Sequence, residues 1–389
     1  MSDGVPVPLP RTDFPLLDGR TIRIYGQVRG APPGTMAHRQ PAELHLRRDE
    51  LTATWIAISP ARNLRPHHTS ADLEAARGDP AATVPGSPAE RYGCPLCPGG
   101  PELPFAYEAA VFDNRFPSLV PEPPPVPDPA DAGFAPAQGR CEVVMFTDRH
   151  EGNFGTLTPV ETARVIAVWR DRTSELWEDP RNEFVMPFEN RGPEIGATLS
   201  HPHGQLYAFG HFPPSIERRV AALVEGRTRT RACLTCAVVA RELGSGRIVQ
   251  ESPHWAIGVP FAARWPYEVH VRAIRHGARR LADLGPDEAV SLAGALHGVV
   301  ERYNGLFGFE LPYMMVVHEA PRGTDDWHLA VELYPPHRTR DLLKVRASVE
   351  TATGLFINDT LPEASARLLA AIPTAPREEH AGFVVERTG

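Results

Sequence analysis

Lysine is almost missing from this chain. Among 389 residues and 40 basic side chains, Lys344 is the one lysine. That scarcity removes the phosphate loop of nucleoside triphosphatases, whose Gly-x-x-x-x-Gly-Lys-Ser/Thr motif has no lysine to use here. No Gly-x-Gly-x-x-Gly opens a helix, so a dinucleotide-binding fold is disfavoured as well. Long apolar runs are lacking: none approaches the roughly 20 residues of a membrane helix. The N-terminal stretch has no basic start followed by an apolar segment, so no secretory signal is read and the expected compartment is the cytoplasm. Positive charge is in deficit, 40 basic against 48 acidic residues for a net −8, which argues against a nucleic-acid-coating surface. Cysteine is sparse, and four of the five (Cys94, Cys97, Cys233 and Cys236, with Cys141 left over) form two C-x-x-C pairs. Without a secretory signal, that spacing points to metal or redox chemistry rather than disulfides.

What is present is a soluble composition, 42% hydrophobic and 23% charged, in a chain long enough for two ordinary domains. Proline is abundant at 42 residues and densest between Val120 and Pro136, which reads as an exposed polyproline-like loop. A second loop is expected from Ala71 to Glu90, where no periodicity appears.

The chain also repeats itself. Each half has a C-x-x-C, an Asn/Ala-Arg-aromatic-Pro element, a β-rich run, a lone histidine, a helix, an apolar strand and a second histidine. The histidines are His150 and His201 in the first half and His276 and His328 in the second. Their separations, 201 − 150 = 51 and 328 − 276 = 52, nearly agree. Thr158-Pro159-Val160-Glu161 predicts a capped helix near 158–178 whose buried face carries Val165, Ile166, Trp169 and Leu176. Pro286-Asp287-Glu288 predicts its counterpart near 286–303, burying Leu292, Leu296, Val299 and Tyr303. A shorter helix should follow Thr360. Strands, helix, then more strands in each half predict an α+β fold of two domains, 1–212 and 213–389, with the boundary near 212–230.

His201-Pro202-His203-Gly204-Gln205 is the sharpest feature, placed between a Gly-bearing turn and an apolar run from Leu206 to Phe209. On a strand, alternate residues share a face, so His201, His203 and Gln205 are expected to point the same way. Two imidazoles and an amide on one face beside an anion-sized turn make a site.

This motif, with Phe188-Glu189-Asn190-Arg191-Gly192 upstream and the twofold repeat, resembles the galactose-1-phosphate uridylyltransferase family of the histidine-triad superfamily. The resemblance extends through Trp55 to Pro66, Val111 to Pro117 and Leu333 to Pro336. It implies two tandem histidine-triad-like domains, each an antiparallel sheet with packed helices. It further implies that His203 is a nucleophile that takes UMP from UDP-glucose and passes it to galactose 1-phosphate. Neutral imidazole suits that task near pH 7, and a covalent intermediate splits one hard displacement into two. Gln205 stands where hydrolases of the superfamily carry a third histidine; an amide donates to a phosphoryl oxygen but cannot relay a proton to water. By the same resemblance Asn190, Thr198, Arg62 and Arg65 attend the nucleotide phosphates and Asn114 the uridine, while Arg115 departs from an acidic residue seen in several members. Lys344 and Glu350 match a lysine and a glutamate that reach the sugar phosphate held by the other subunit, which implies a homodimer.

Cys94, Cys97, His150 and His201 match the four ligands of the family's first zinc site, a set suited to tetrahedral Zn²⁺. Repeat spacing offers Cys233, Cys236, His276 and His328 for a second zinc, with His318 as the competing ligand. No organic cofactor is expected. Ala330 and Glu332 fall where His203 and Gln205 lie in the first copy, so the second copy lacks the nucleophile. Two rival readings share these motifs: a histidine-triad nucleotidyltransferase or dinucleotide phosphorylase of adenine specificity, and a non-catalytic zinc-stabilised nucleotide-binding protein.

Overall fold

A computed structural model of the chain describes residues 6–16, 19–28, 43–64, 86–375 and 382–387. The first half supplies β1 (Val7–Pro15), β2 (Thr21–Tyr25), β3 (His45–Asp49), β4 (Thr54–Ile58), β5 (Ala109–Asp113), β6 (Phe134–Pro136), β7 (Gly139–Met145), β8 (Phe184–Arg191) and β9 (His203–Phe209). The second supplies β10 (Ile248–Gln250), β11 (Trp255–Gly258), β12 (Val269–Ala273), β13 (Tyr313–His318), β14 (Ala330–Tyr334), β15 (His337–Thr339), β16 (Leu342–Leu343) and β17 (Phe383–Arg387). The helices are α1 (Pro88–Tyr92), α2 (Pro159–Glu178), α3 (Pro214–Thr230), α4 (Leu234–Leu243), α5 (Pro286–Phe307), α6 (Ser348–Thr353) and α7 (Pro362–Ala370). None is long and apolar enough to cross a membrane among the described residues.

The α+β architecture is as expected, but the sheets of the two halves are continuous. Twelve strands run in the order β10-β11-β12-β14-β13-β8-β9-β7-β5-β2-β1-β17. The halves join where β8 pairs antiparallel with β13, Met315 opposite Glu189. β17 then returns from the C-terminus to pair parallel with β1. One core therefore serves both halves: Val165, Ile166, Trp169 and Leu176 of α2 share a buried cluster with Leu292, Leu296, Val299 and Tyr303 of α5. α2 starts at the capping box read from the sequence, Thr158 Oγ1 accepting from Glu161 N while Glu161 accepts from Thr158 N.

Two expectations need correction, and the boundary region near 212–230 carries helix α3, opened by Pro213-Pro214 and burying Ile216, Leu223 and Gly226. Its many arginines masked that narrow apolar stripe. The proline-rich loop ends in a strand, β6, which pairs with β3 in a small sheet of order β4-β3-β6. The loop expected at 71–90 lies outside the described residues as far as 85, and from Pro88 it becomes α1.

A buried charge network, invisible to pattern reading, ties β2 and β7 to α2. Glu142 on β7 is fully buried and receives two hydrogen bonds from Arg172, at 3.0 and 2.7 Å. Arg140 and Arg23 approach the same carboxylate at 3.0 and 3.6 Å. Burial alone would raise its pKa, yet Arg172, Arg23 and Arg140 hold it down at about 2. Replacing the carboxylate takes the buried Arg172 and Arg23 guanidiniums, and the half-buried Arg140, from a shared partner, leaving Glu175 and Asp113 to face them; breaking a buried pair costs about 3–5 kcal/mol. Glu142→Gln is therefore expected to lower unfolding free energy by about that amount at pH 7 in denaturant titrations. Because the folded pKa is depressed, the wild type's advantage persists above the unfolded carboxylate value of about 4.3 and shrinks as pH falls toward 2. Equal stability of the two proteins at pH 7 would contradict the network's role.

Candidate active site and metal clusters

On β9 the exposure alternates: His203, Gln205 and Tyr207 are half-buried on one face, and Gly204, Leu206 and Ala208 are buried on the other. Gly204 has no freedom to carry a side chain, since a Cβ would lie 2.7 Å from the Phe146 ring and 2.8 Å from the Phe188 carbonyl. The strand begins at His203, so His201 precedes it and does not join the alternation. Its ring is completely buried and turned toward Cys94 and Cys97 instead.

His203 Nδ1 lies 2.7 Å from the His201 carbonyl oxygen. A carbonyl only accepts, so Nδ1 carries the proton and the Nε2 lone pair is free. Burial lowers the pKa of His203 from its usual value, against the opposing pull of that carbonyl. The ring is thus held neutral in one tautomer. Gln205 Oε1 accepts from Asn114 Nδ2 at 3.2 Å, which leaves the Gln205 amide NH₂ to donate elsewhere. Asn114 is itself fixed by Phe116 N donating to its Oδ1 at 2.8 Å.

Phe188 pairs with Gln205 across β8 and β9. Asn190, two residues on, is half-buried on the same face. Beyond β8 the chain turns at Gly192, whose φ of 105° favours glycine, and at Gly196, φ 78°, just before Thr198. Arg62 comes from a separate 3₁₀ turn, Pro60–Leu64, and donates to the Phe116 carbonyl, Ser118 Oγ and Tyr207 Oη at 3.3, 2.8 and 3.0 Å. Tyr207 was overlooked in the sequence, although alternation from Gln205 places it on the same face. Arg65 lies outside the described residues.

Lys344 and Glu350 are brought together with each other. Lys344 is buried, its Nζ donating to Glu350 Oε1 at 2.6 Å and to the Ile357 carbonyl. In this arrangement neither offers a free charge to a phosphate.

Both Cys/His sets assemble, and in each the four donor atoms lie within 4.8 Å of one another. In the first, Cys97 Sγ is 3.4 Å from His150 Nδ1 and from His201 Nδ1, and Cys94 Sγ is 4.0 Å from His201 Nδ1. In the second, Cys236 Sγ is 3.4 Å from His276 Nδ1 and 3.3 Å from His328 Nε2, with Cys233 Sγ at 3.8 Å from His328. A tetrahedral ion with bonds of about 2.0–2.3 Å needs donor–donor edges of about 3.3–3.8 Å, so both sets fit one. The outer ring nitrogens are pinned too: His201 Nε2 to the Thr147 carbonyl at 2.9 Å, His328 Nδ1 to the Ala273 carbonyl at 2.8 Å. Hydrogen bonding to Cys97 pushes the Cys94 thiol well below its usual range, and Cys97 is pushed well above by the same bond. His318 belongs to neither set and faces Glu332 at 3.5 Å.

Comparison with known proteins follows the same division of the chain. The family model described as galactose-1-phosphate uridyl transferase, N-terminal domain, matches residues 35–213, and its C-terminal counterpart matches 228–373. A galactose-1-phosphate uridylyltransferase of Thermotoga maritima is 38% identical over 332 residues, spanning 84% of this chain and 98% of that protein. One from Streptomyces lividans is 34% identical, spanning 80% and 81%. A solved uridylyltransferase structure superposes with a TM-score of 0.72 at 30% identity, covering 84% of this chain and 97% of that one. With both halves matched and nearly the full length of such a relative spanned, the chain belongs to the galactose-1-phosphate uridylyltransferase family.

Proposed function

We propose that this chain exchanges UMP between UDP-glucose and galactose 1-phosphate through a uridylyl group carried on His203. The observation that carries the reading is the 2.7 Å bond from His203 Nδ1 to the His201 carbonyl, which leaves Nε2 as a neutral nucleophile. Nε2 attacks the α-phosphorus, an N–P bond forms, and the bond to glucose 1-phosphate breaks. Galactose 1-phosphate then attacks the same phosphorus and restores the free imidazole. Gln205, braced by Asn114, donates its amide N–H to a phosphoryl oxygen as charge builds there. Asn190 near the end of β8 and Thr198 beyond the turn that follows attend the phosphates, and Arg62 supplies positive charge beside Tyr207. Arg65 and Asn114 complete the nucleotide contacts in this reading.

Zinc is proposed for both Cys/His sets, on the donor chemistry and the tetrahedral spacing. When bound, it cross-links distant segments without redox chemistry; at the first set it ties the C-x-x-C turn after α1 to the segment ahead of β9. A homodimer is also proposed. Support comes from Val345, Val349, Leu355 and Leu361, apolar and exposed around the Lys344–Glu350 pair. For Lys344 to meet a sugar phosphate across that interface, its ammonium would have to leave Glu350.

His203→Gly is expected to abolish UMP exchange, measured as UDP-galactose formed, while metal content and thermal midpoint stay unchanged. Loss of metal or of folded protein in that variant would overturn the separation of nucleophile from ligands. Gln205→His is expected to raise hydrolysis of UDP-glucose relative to transfer, on the order of 10²-fold, the lower end of what a positioned proton carrier contributes. No extra free UMP would refute the amide argument. In Cys94→Ser, metal analysis should find one of the two equivalents lost together with a lower thermal midpoint, because metal-binding energy is also folding energy. An unaltered metal count would remove the first zinc.

A further inference from the structure

The second half holds a cavity of about 690 Å³ that the exchange reaction does not use. Its floor is the sheet, with Ala256 and Gly258 of β11, His270 and Arg272 of β12 and Glu332 of β14. α3 and α4 form its roof through Leu223, Val238 and Val239. The register His270 opposite Glu332, Glu332 opposite Val316, Val316 opposite Phe188 and Phe188 opposite Gln205 carries one sheet face unbroken from this floor to the catalytic residues. In the repeat, Glu332 stands for Gln205 and Ala330 for His203. The cavity is thus the second copy of the catalytic pocket, without a nucleophile.

Its charge is unbalanced. Five arginines and three glutamates line it, an excess of two positive charges. At the floor, Arg219, Arg264 and Arg272 converge on Glu332 at 2.8, 3.1 and 3.6 Å. Glu268 takes Arg264 and His270, at 3.1 and 2.8 Å. Three guanidiniums therefore share two carboxylates, and Arg219 Nη1 is buried with no hydrogen-bond acceptor among the described residues. Burial pushes the Arg272 guanidinium below its usual range, as befits a cation short of counter-charge. Apart from Thr235, Arg241, Glu242, Arg247 and His328 the rest of the wall is apolar, and Phe261 is 74% exposed, with the Arg247 guanidinium 5.4 Å from its ring centroid. A cationic floor, an apolar wall and an open aromatic ring, in a volume within the roughly 300–1,000 Å³ of small-molecule sites, specify a ligand with an anionic end and a planar body.

We propose that this cavity is a second, non-catalytic binding site for a nucleoside monophosphate, its phosphate on Arg219 and Arg272 and its base toward Phe261. The bound nucleotide undergoes no chemistry there, since Ala330 replaces the nucleophile. The site is independent of whether His203 forms a covalent intermediate, so each idea can fail alone.

Calorimetric titration of the full-length, metal-loaded protein with UMP, and separately with AMP, counts the sites. The expected result is one more site per chain than can be blocked by uridylylation from UDP-glucose. Arg272→Gln should weaken that extra site by about tenfold or more, the value of a lost hydrogen bond to a charged group. Ala222→Trp, which fills the cavity from α3, should eliminate it, with the yield of uridylylated protein unchanged in both variants. The proposal is overturned if neither nucleotide fills an extra site, if both variants bind as the wild type does, or if inorganic phosphate alone binds as tightly as the nucleotides.

Discussion

Within two residues, His201 joins the first Cys/His cluster to the proposed nucleophile His203. Its ring is buried against Cys94 and Cys97, and its carbonyl accepts the Nδ1 proton of His203. Anchoring the ring fixes the peptide, and the fixed carbonyl selects the tautomer that exposes Nε2. The Thr147 carbonyl holds the far side of the His201 ring, so little freedom remains in the chain just before β9. In the proposed reading, a metal held by this cluster would position His203 through covalent geometry rather than through contact with substrate.

The same strand depends on its surroundings for stiffness. β9 lies between β7 and β8 in the middle of a twelve-stranded sheet, with the α2–α5 core beneath it. β7 is locked to α2 by the Glu142–Arg172 pair, and β8 is bonded to β13 of the second half. The second copy thus serves the first as a structural partner along one sheet edge. At the positions that match His203 and Gln205 it has Ala330 and the arginine-ringed Glu332.

Local signals were legible because local physics makes them. The capping box at Thr158, the 3.6-residue apolar spacing of α2 and α5, and the two Cys/His sets, one implied by the family resemblance and one offered by repeat spacing, all reappear in three dimensions. The repeat itself hid its most important consequence: that β8 and β13 would fuse two sheets depends on edge pairing, which leaves no mark on residue patterns. Long-range charge was equally opaque, since Glu142 and Arg172 are separated by 30 residues and only folding makes them partners. His201 was misread as a strand residue because alternation continued through it; its actual position is set by the cluster it joins. α3 escaped notice because only Ile216, Leu223 and Gly226 of its residues are buried, too few to mark a helical stripe.

Intact-mass spectrometry of the protein after mixing with UDP-glucose tests the central claim most directly. The account predicts a mass gain of one UMP per chain, absent in His203→Gly and removed from the wild type by galactose 1-phosphate. An unmodified mass in the wild type, or an adduct that persists in His203→Gly, would contradict it.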